Sequence, residues 1–301
     1  MFELDNITRR YGRTRALDAV TCDIPLGRVY GLIGANGAGK TTLLRALAGQ
    51  LPTEGRLTLE GEPVRDNQRA LDRIILAGAD VPYPGEMSVR TLLDLAASRW
   101  STWDADYARH LQDVFALDRK ARFDTLSRGN KTLVGVVMGL AARADVTLLD
   151  EPYLGLDARN REHLYRELLE ETTRATDAGR TVVISTHQVE DASLLLDAVI
   201  LIDRGDVVRI ADVEALTSST VVATGTAGAV DDLLARAPRT VLREDTVAGA
   251  RRVVLDAGRT GDAGDAGAAV AAAALLHASE GLDVRLEDAG LEETVLVRGT
   301  R

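Results

Sequence analysis

Short apolar runs alternate with amphipathic stretches through the first two thirds of the chain. Val29-Tyr30-Gly31-Leu32-Ile33 is apolar throughout, as a strand buried on both faces must be, and 146–149, 181–185 and 198–202 read the same way. Helical spacings fall between them: leucines and alanines over 41–48, an apolar run over 132–142, a polar amphipathic stretch over 159–175 and a short one over 189–195. Strands that alternate with helices predict a mainly parallel α/β sheet, whose sites lie at the C-terminal ends of the strands. Ahead of this pattern, residues 2–8 and 15–24 predict two strands around a turn at Tyr11-Gly12-Arg13, although the alternation of Phe2, Leu4 and Ile7 is imperfect. A hairpin is expected over 56–64 with its turn at Glu60-Gly61, then a short helix over 67–71 and a buried strand over 73–77. Arg204-Gly205-Asp206 turns the chain into a strand over 207–210.

Residues 80–131 differ in character. Pro82 and Pro84 break the chain, and helical spacing follows over 89–97 and 107–115, which predicts a helical subdomain inserted into the sheet. Trp100 and Trp103 lie between those helices and are expected to pack. After Leu216 the composition shifts to alanine, glycine, threonine and aspartate. Strands over 220–224, 239–243, 251–256 and 282–286, helices over 229–236 and 267–279 and a short tail helix are expected there, with a mobile Gly/Asp-rich loop over 257–267. The expected domains are therefore 1–216 and a small α+β appendage, 217–301. No internal repeat is evident.

A chain of 301 residues with 46% hydrophobic and 27% charged residues has ordinary globular composition. The net charge of −10 argues against duplex nucleic acid as a partner, which wants a basic face. Cys22, the one cysteine, makes no internal disulfide; it suits a reducing cytosol and reads as a small buried hydrophobe. The first residues lack a basic, apolar leader, and no run of about 18 apolar residues occurs. The expectation is a protein that does not cross a membrane by itself.

Candidate chemistry centres on Gly34-Ala35-Asn36-Gly37-Ala38-Gly39-Lys40-Thr41, which fits the phosphate-loop pattern between a buried strand and a helix. Glycines let backbone N–H groups turn inward around phosphate oxygens, and the helix N-terminus adds its positive dipole end. Lys40 is placed to reach the β- and γ-phosphates, and the Thr41 hydroxyl to take a place on Mg²⁺. The strand 146–149 delivers Asp150 and Glu151 at its tip: the first a candidate Mg²⁺ group, the second a candidate general base for an attacking water. Leu126-Ser127-Arg128-Gly129-Asn130 opens the apolar helix, and Ser127 there is either an ordinary N-cap or, with the Gly129 backbone, part of a second phosphate cradle. Leu154-Gly155-Leu156-Asp157 follows the carboxylate pair, and His187 stands just past the strand 181–185, beside the expected γ-phosphate.

With these motifs in this order, residues 2–216 resemble the ATP-binding subunit of ABC transporters. The resemblance implies a P-loop NTPase (RecA-like) core with an antiparallel β subdomain and the inserted helical subdomain. It implies that Tyr11 stacks on adenine and that Gly34 to Thr42 (Thr41 and Thr42 included) form the Walker A loop, with Asp150 and Glu151 as the Walker B pair. Ser127, Arg128, Gly129 and Asn130 correspond to the signature motif that completes the opposite subunit's site, Leu154 to Asp157 to the D-loop, and His187 to the switch histidine. Implied with these are ATP and Mg²⁺, a second ATPase subunit (homo- or heterodimer), a separate transmembrane permease and a place at the cytoplasmic face of the membrane. Mechanistically it implies ATP-driven closure of the dimer, hydrolysis and reopening. Trp103-Asp104, the Ser-Arg-Gly-Asn signature and the tail Gly290-Leu291-Glu292-Glu293-Thr294-Val295 are similar to bacterial ABC-2 type exporters.

Two departures stand out. The family's glutamine after the strand 73–77 is missing from Ala77-Gly78-Ala79-Asp80-Val81; Asp80 is either a replacement metal-shell group or simply loop acidity. Arg128 and Asn130 stand where the strict signature has Gly and Gln. The missing glutamine keeps open a weakly active nucleotide-binding regulatory subunit. A soluble ABC-type ATPase working on ribosomes or DNA is the other alternative, disfavoured by one cassette, no heptad run and the acidic balance.

Overall fold

The computed structural model describes residues 1–78, 80–187, 189–257 and 273–298. These divide into two compact units, Met1–Ile210 and Ala211–Arg301. The division falls ahead of the short helix Val213–Thr217 rather than after it, because that helix packs with the last helix of the chain.

In the first unit, β1 (Phe2–Tyr11), β2 (Thr14–Ile24), β4 (Glu54–Leu59) and β5 (Glu62–Pro63) form an antiparallel sheet in the order β2-β1-β4-β5. The imperfect alternation in β1 has a cause. Its register with β2 shifts between Leu4 and Ile7, where Asn6 takes a φ of 54°, and across the bulge Ile7 turns back into the core. Tyr11 ends β1 instead of opening the turn, which is Gly12-Arg13 alone.

The second sheet of this unit has the order β10-β9-β3-β8-β7-β6. Its parallel strands are β9 (Ala198–Asp203), β3 (Val29–Ile33), β8 (Thr181–Thr186), β7 (Val146–Asp150) and β6 (Ile74–Gly78), with β10 (Asp206–Asp212) at one edge. Helix α1 (Lys40–Leu47) is wedged between the two sheets: Leu43, Leu44 and Leu47 share one core with Phe2, Ile7, Leu17 and Ile24 from the first and Leu32 and Leu148 from the second. Each fully buried Leu or Phe contributes roughly 1.5–3 kcal/mol. This core fixes the end of β3 against the start of α1. Cys22 packs at its margin, half-buried.

The short helix α2 (Gln68–Leu71) is capped by Asn67, as expected. The helical insert carries α3 (Val89–Arg99) and α4 (Ala105–Val114), whose N-caps Ser88 and Asp104 accept from Thr91 N and Tyr107 N. Trp100 and Trp103 pack on Ile75, Ala142 and Ala144, the packing role expected of them. Helix α5 (Arg128–Ala141) begins a turn earlier than its apolar run, because Ser127 caps it through Asn130 N at 3.2 Å. Helix α6 (Ala158–Asp177) follows, then α7 (Val189–Ala192).

The second unit, from α8 (Val213–Thr217) onward, has the order β11 (Thr220–Gly225), α9 (Ala227–Arg236), β12 (Val241–Val247), β13 (Ala250–Asp256), α10 (273–279), β14 (Val284–Asp288) and α11 (Leu291–Arg298). The strands pair antiparallel as β12-β13-β11-β14, the split βαββαβ arrangement. One face packs Val221, Ala223, Val253 and Leu255 on Val230 and Leu233 of α9 and Leu275 of α10. The other packs Val222 and Val254 on Ala289 and Val297, so α11 closes it, and Glu293 of α11 pairs with Arg252 of β13. The tail motif therefore has a packing role. The expected mobile loop beyond Ala257 and the first part of the expected helix 267–279 lie outside the described residues. Among the described residues no helix is long and apolar enough to cross a membrane.

Candidate active site

The loop 34–39 leaves β3 and enters α1 through Gly39, whose φ of 111° belongs to glycine. A Cβ there would stand 2.5 Å from the Ala16 carbonyl oxygen, so Gly39 is fixed by close approach as well. Lys40 is 7% exposed. Its Nζ donates to the Gly34 carbonyl at 2.8 Å and lies 3.5 Å from Glu151 Oε1. An ammonium held this deep is costly without an anion nearby, and Glu151 supplies one.

Tyr11, Ala16, Ala35, Asn36, Gly37, Gly39, Lys40, Thr41, Thr42 and Glu151 line one cleft of about 360 Å³. Tyr11 is 46% exposed at its rim, an amphipathic ring with a face to offer. The Arg9 guanidinium carbon lies 4.9 Å from the Tyr11 ring centroid, and Arg9 is itself tied to the Pro52 carbonyl at 2.9 Å. This brace was not read from the sequence, where Arg9 is one of several arginines near the turn.

Across the cleft, β7 ends at Asp150 and the chain bends at Glu151, which takes a φ of 48°. A non-glycine residue in this region costs about 1–3 kcal/mol, tolerated where surrounding bonds hold it. Three bonds do so. His187 Nδ1 lies 2.9 Å from Glu151 Oε2, Glu151 N donates to Ser185 Oγ at 2.9 Å, and Ser185 Oγ donates to Asp150 Oδ1 at 2.6 Å. In the sequence Ser185 stands only as the last residue of the expected strand 181–185. Its one visible signal is a hydroxyl at the end of a strand that is otherwise nearly all apolar.

The remaining candidate residues gather elsewhere on the first unit. Ser127, Arg128, Gly129 and Asn130 form the cap and first turn of α5, packed on the loop 154–157. A Cβ at Gly129 would stand 2.4 Å from the Gly155 carbonyl oxygen, and Thr132 Oγ1 donates to the Leu154 carbonyl at 2.9 Å. Asp157 caps α6 through Asn160 N at 2.8 Å. Asp80 lies two residues beyond Gly78, which pairs with Asp150 across the sheet. Its carboxylate meets Arg128 at 3.2 Å and its carbonyl accepts from Arg45 at 3.0 Å. The two departures from the family pattern thus meet each other.

Among the described residues no group of three or more His, Cys, Asp or Glu side chains is placed to hold a metal ion. Mg²⁺ does not need such a cage: it keeps several waters and takes one or two carboxylates beside substrate phosphates. A half-buried Asp150 carboxylate, tied through Ser185 to Glu151 of the cleft that also carries the Thr41 hydroxyl, is a donor set of that kind, so the residues fit it.

A phosphate loop after the central strand of a parallel sheet, with paired carboxylates at the tip of the next strand but one, defines a P-loop nucleotide-binding protein. The ABC transporter family model matches residues 17–154. The daunorubicin resistance ATP-binding protein DrrA3 of Streptomyces coeruleorubidus is 31% identical over 98% of this chain and 91% of its own length. This chain belongs to the ABC transporter ATP-binding family. The spermidine/putrescine import ATP-binding protein PotA of Pseudomonas aeruginosa is 33% identical over 69% of this chain, and the match spans 58% of that protein's length. A solved ATP-binding subunit of an ABC transporter superposes with a TM-score of 0.61 at 24% identity, covering 72% of this chain and 91% of that one.

Proposed function

We propose that this chain binds ATP with Mg²⁺ and hydrolyses it to power an ABC transporter. It acts as one of a pair of cassettes on a separate membrane-spanning subunit, at the cytoplasmic face. The observation that carries the reading is the meeting of Lys40 and Glu151 on one cleft, with His187 on the Glu151 carboxylate and Asp150 tied in through Ser185.

In this reading Tyr11, backed by Arg9, offers its ring to adenine, and the loop 34–39 with Lys40 and Thr42 surrounds the phosphates. Thr41 and Asp150 hold Mg²⁺, which neutralises charge on the phosphate oxygens when bound. Glu151 takes a proton from the attacking water at its carboxylate, and His187 holds that carboxylate in place and senses the γ-phosphate. Ser127, Gly129 and the loop 154–157 serve the partner cassette. Glu151→Gln in the full chain is expected to lower Mg·ATP turnover on the order of 10²–10⁴-fold, the usual worth of a general base, while ATP binding survives. Turnover equal to the parent's would remove Glu151 from that role.

Export of a drug, antibiotic, lipid or similar compound is the transport reading we favour. The drug-resistance relative matches 98% of the chain, whereas the polyamine-import relative matches 69% of it. Capture of the tagged protein from detergent-solubilised membranes of the source cell is expected to bring a polytopic membrane protein with it. Recovery of ribosomes or DNA-repair proteins instead would overturn the transporter assignment and leave the nucleotide site standing.

A further inference from the structure

Ser185 is fully buried near the end of β8. Its hydroxyl does two things at once: it donates to Asp150 Oδ1 at 2.6 Å and accepts from Glu151 N at 2.9 Å. A hydroxyl has one proton and two lone pairs, so a single rotamer satisfies both bonds. The two groups it joins are the adjacent carboxylate residues at the tip of β7, and the backbone register places Ser185 directly beside Asp150. The sheet does not need this side chain, since β8 is held to β3 and β7 by main-chain bonds through Leu32 and Asp150. The hydroxyl is therefore not there to build the strand.

We infer that Ser185 is a positioning residue, whose single hydroxyl sets the rotation of the Asp150 carboxylate and the left-handed backbone of Glu151 together. The inference rests on the nucleotide-hydrolysis reading above. By spending its proton on Oδ1, Ser185 fixes which carboxylate lone pairs remain for a metal ion. By accepting the Glu151 N–H, it fixes where the next side chain leaves the strand. Without it, the Asp150 carboxylate loses its orientation, and the half-buried Glu151 N–H loses its partner.

The test compares Ser185→Ala, Ser185→Val and Ser185→Thr in the full chain. Val and Thr match in volume and differ by the hydroxyl. Three quantities are read: Mn²⁺ affinity in the presence of a non-hydrolysable ATP analogue by electron paramagnetic resonance, kcat with Mg·ATP, and Tm. Loss of a group that orients a metal ligand typically costs 10–100-fold in affinity or activity. Ala and Val are accordingly expected to lose about 10–100-fold in both Mn²⁺ affinity and kcat, with metal-free nucleotide binding unchanged, and Thr to stay within about threefold of the parent. Parent-like Mn²⁺ affinity in Ala and Val would overturn the inference. Equal losses in all three variants, following Tm, would also overturn it and make Ser185 a packing residue. A parent chain that neither binds Mn²⁺ with nucleotide nor turns ATP over would overturn the underlying reading first, before any variant is compared.

Discussion

Glu171 is the most exacting test of how the helical insert is held to the sheet. It lies on α6 at 2% exposure and pairs with Arg143, just past α5, and with Arg180 at 3.0 Å. Arg143 also reaches Asp104, the cap of α4, at 3.1 Å, so one buried carboxylate links α6, the end of α5 and the insert. Arg143 holds this position with a φ of 50°, a conformation that usually falls to glycine after a helix end. Replacing Glu171 by Gln keeps the shape and removes the charge. Breaking a buried pair by removing one partner costs about 3–5 kcal/mol. Because Arg143 retains Asp104, the lower end, about 3 kcal/mol, is expected. With a urea slope of about 3 kcal/mol per molar, the midpoint falls by about 1 M. Both tryptophans of the chain pack beside this network on Ala142 and Ala144, so their fluorescence reports unfolding of the first unit alone. The control is Glu170→Gln one residue away, an exposed pair with Arg174 whose loss should stay within about 0.5 kcal/mol. A Glu171 variant that shifted no further than this control would refute the reasoning and show the network to be replaceable by water.

Two further outcomes follow from the first unit. Burial, reinforced by the charges of Asp23 and Asp206, pushes the Cys22 thiol up to about 11. The protonated form is therefore favoured, and alkylation at pH 8 should run on the order of a hundredfold slower than for free cysteine, accelerating as pH rises toward 11; a rate near that of free cysteine would contradict the burial. For Asp80 and Arg128, a double-mutant cycle with Asp80→Asn and Arg128→Gln should give a coupling of about 0.2–1 kcal/mol, as exposed pairs do, with Mn²⁺ affinity unchanged. A tenfold loss of Mn²⁺ affinity in Asp80→Asn alone would place Asp80 in the metal shell instead.

What was legible in the sequence was what is local. The loop 34–42 is contiguous, and the glycine geometry that shapes it is dictated residue by residue. Asp150 and Glu151 could be read because a buried strand ends where they begin. The partners that hold them could not, since Ser185 reaches them from another strand through a sheet order that the alternation of elements leaves open. Asp80 was weighed for the metal because of where it follows β6; its contact with Arg128 joins the end of that strand to the start of α5 and has no periodic signature. The start of α5 was legible in its cap Ser127, whereas its apolar run begins a turn later because the first turn packs on the loop 154–157, where glycine and polar residues serve better than leucine. In the second unit the elements were found one at a time, but the central place of β11 between β13 and β14 emerges only from the pairing.

The strand order of that second unit leaves β12 and β14 as its two edges. Both carry charge along their length: Arg243, Glu244 and Asp245 on one, Arg285, Glu287 and Asp288 on the other. An edge strand is a template for any passing chain, and charged side chains are what keep it from recruiting one. Among the described residues both faces of this sheet are covered and both edge strands carry charges that oppose the pairing of another chain. The unit thus closes on a core of its own, just as the unit before it does.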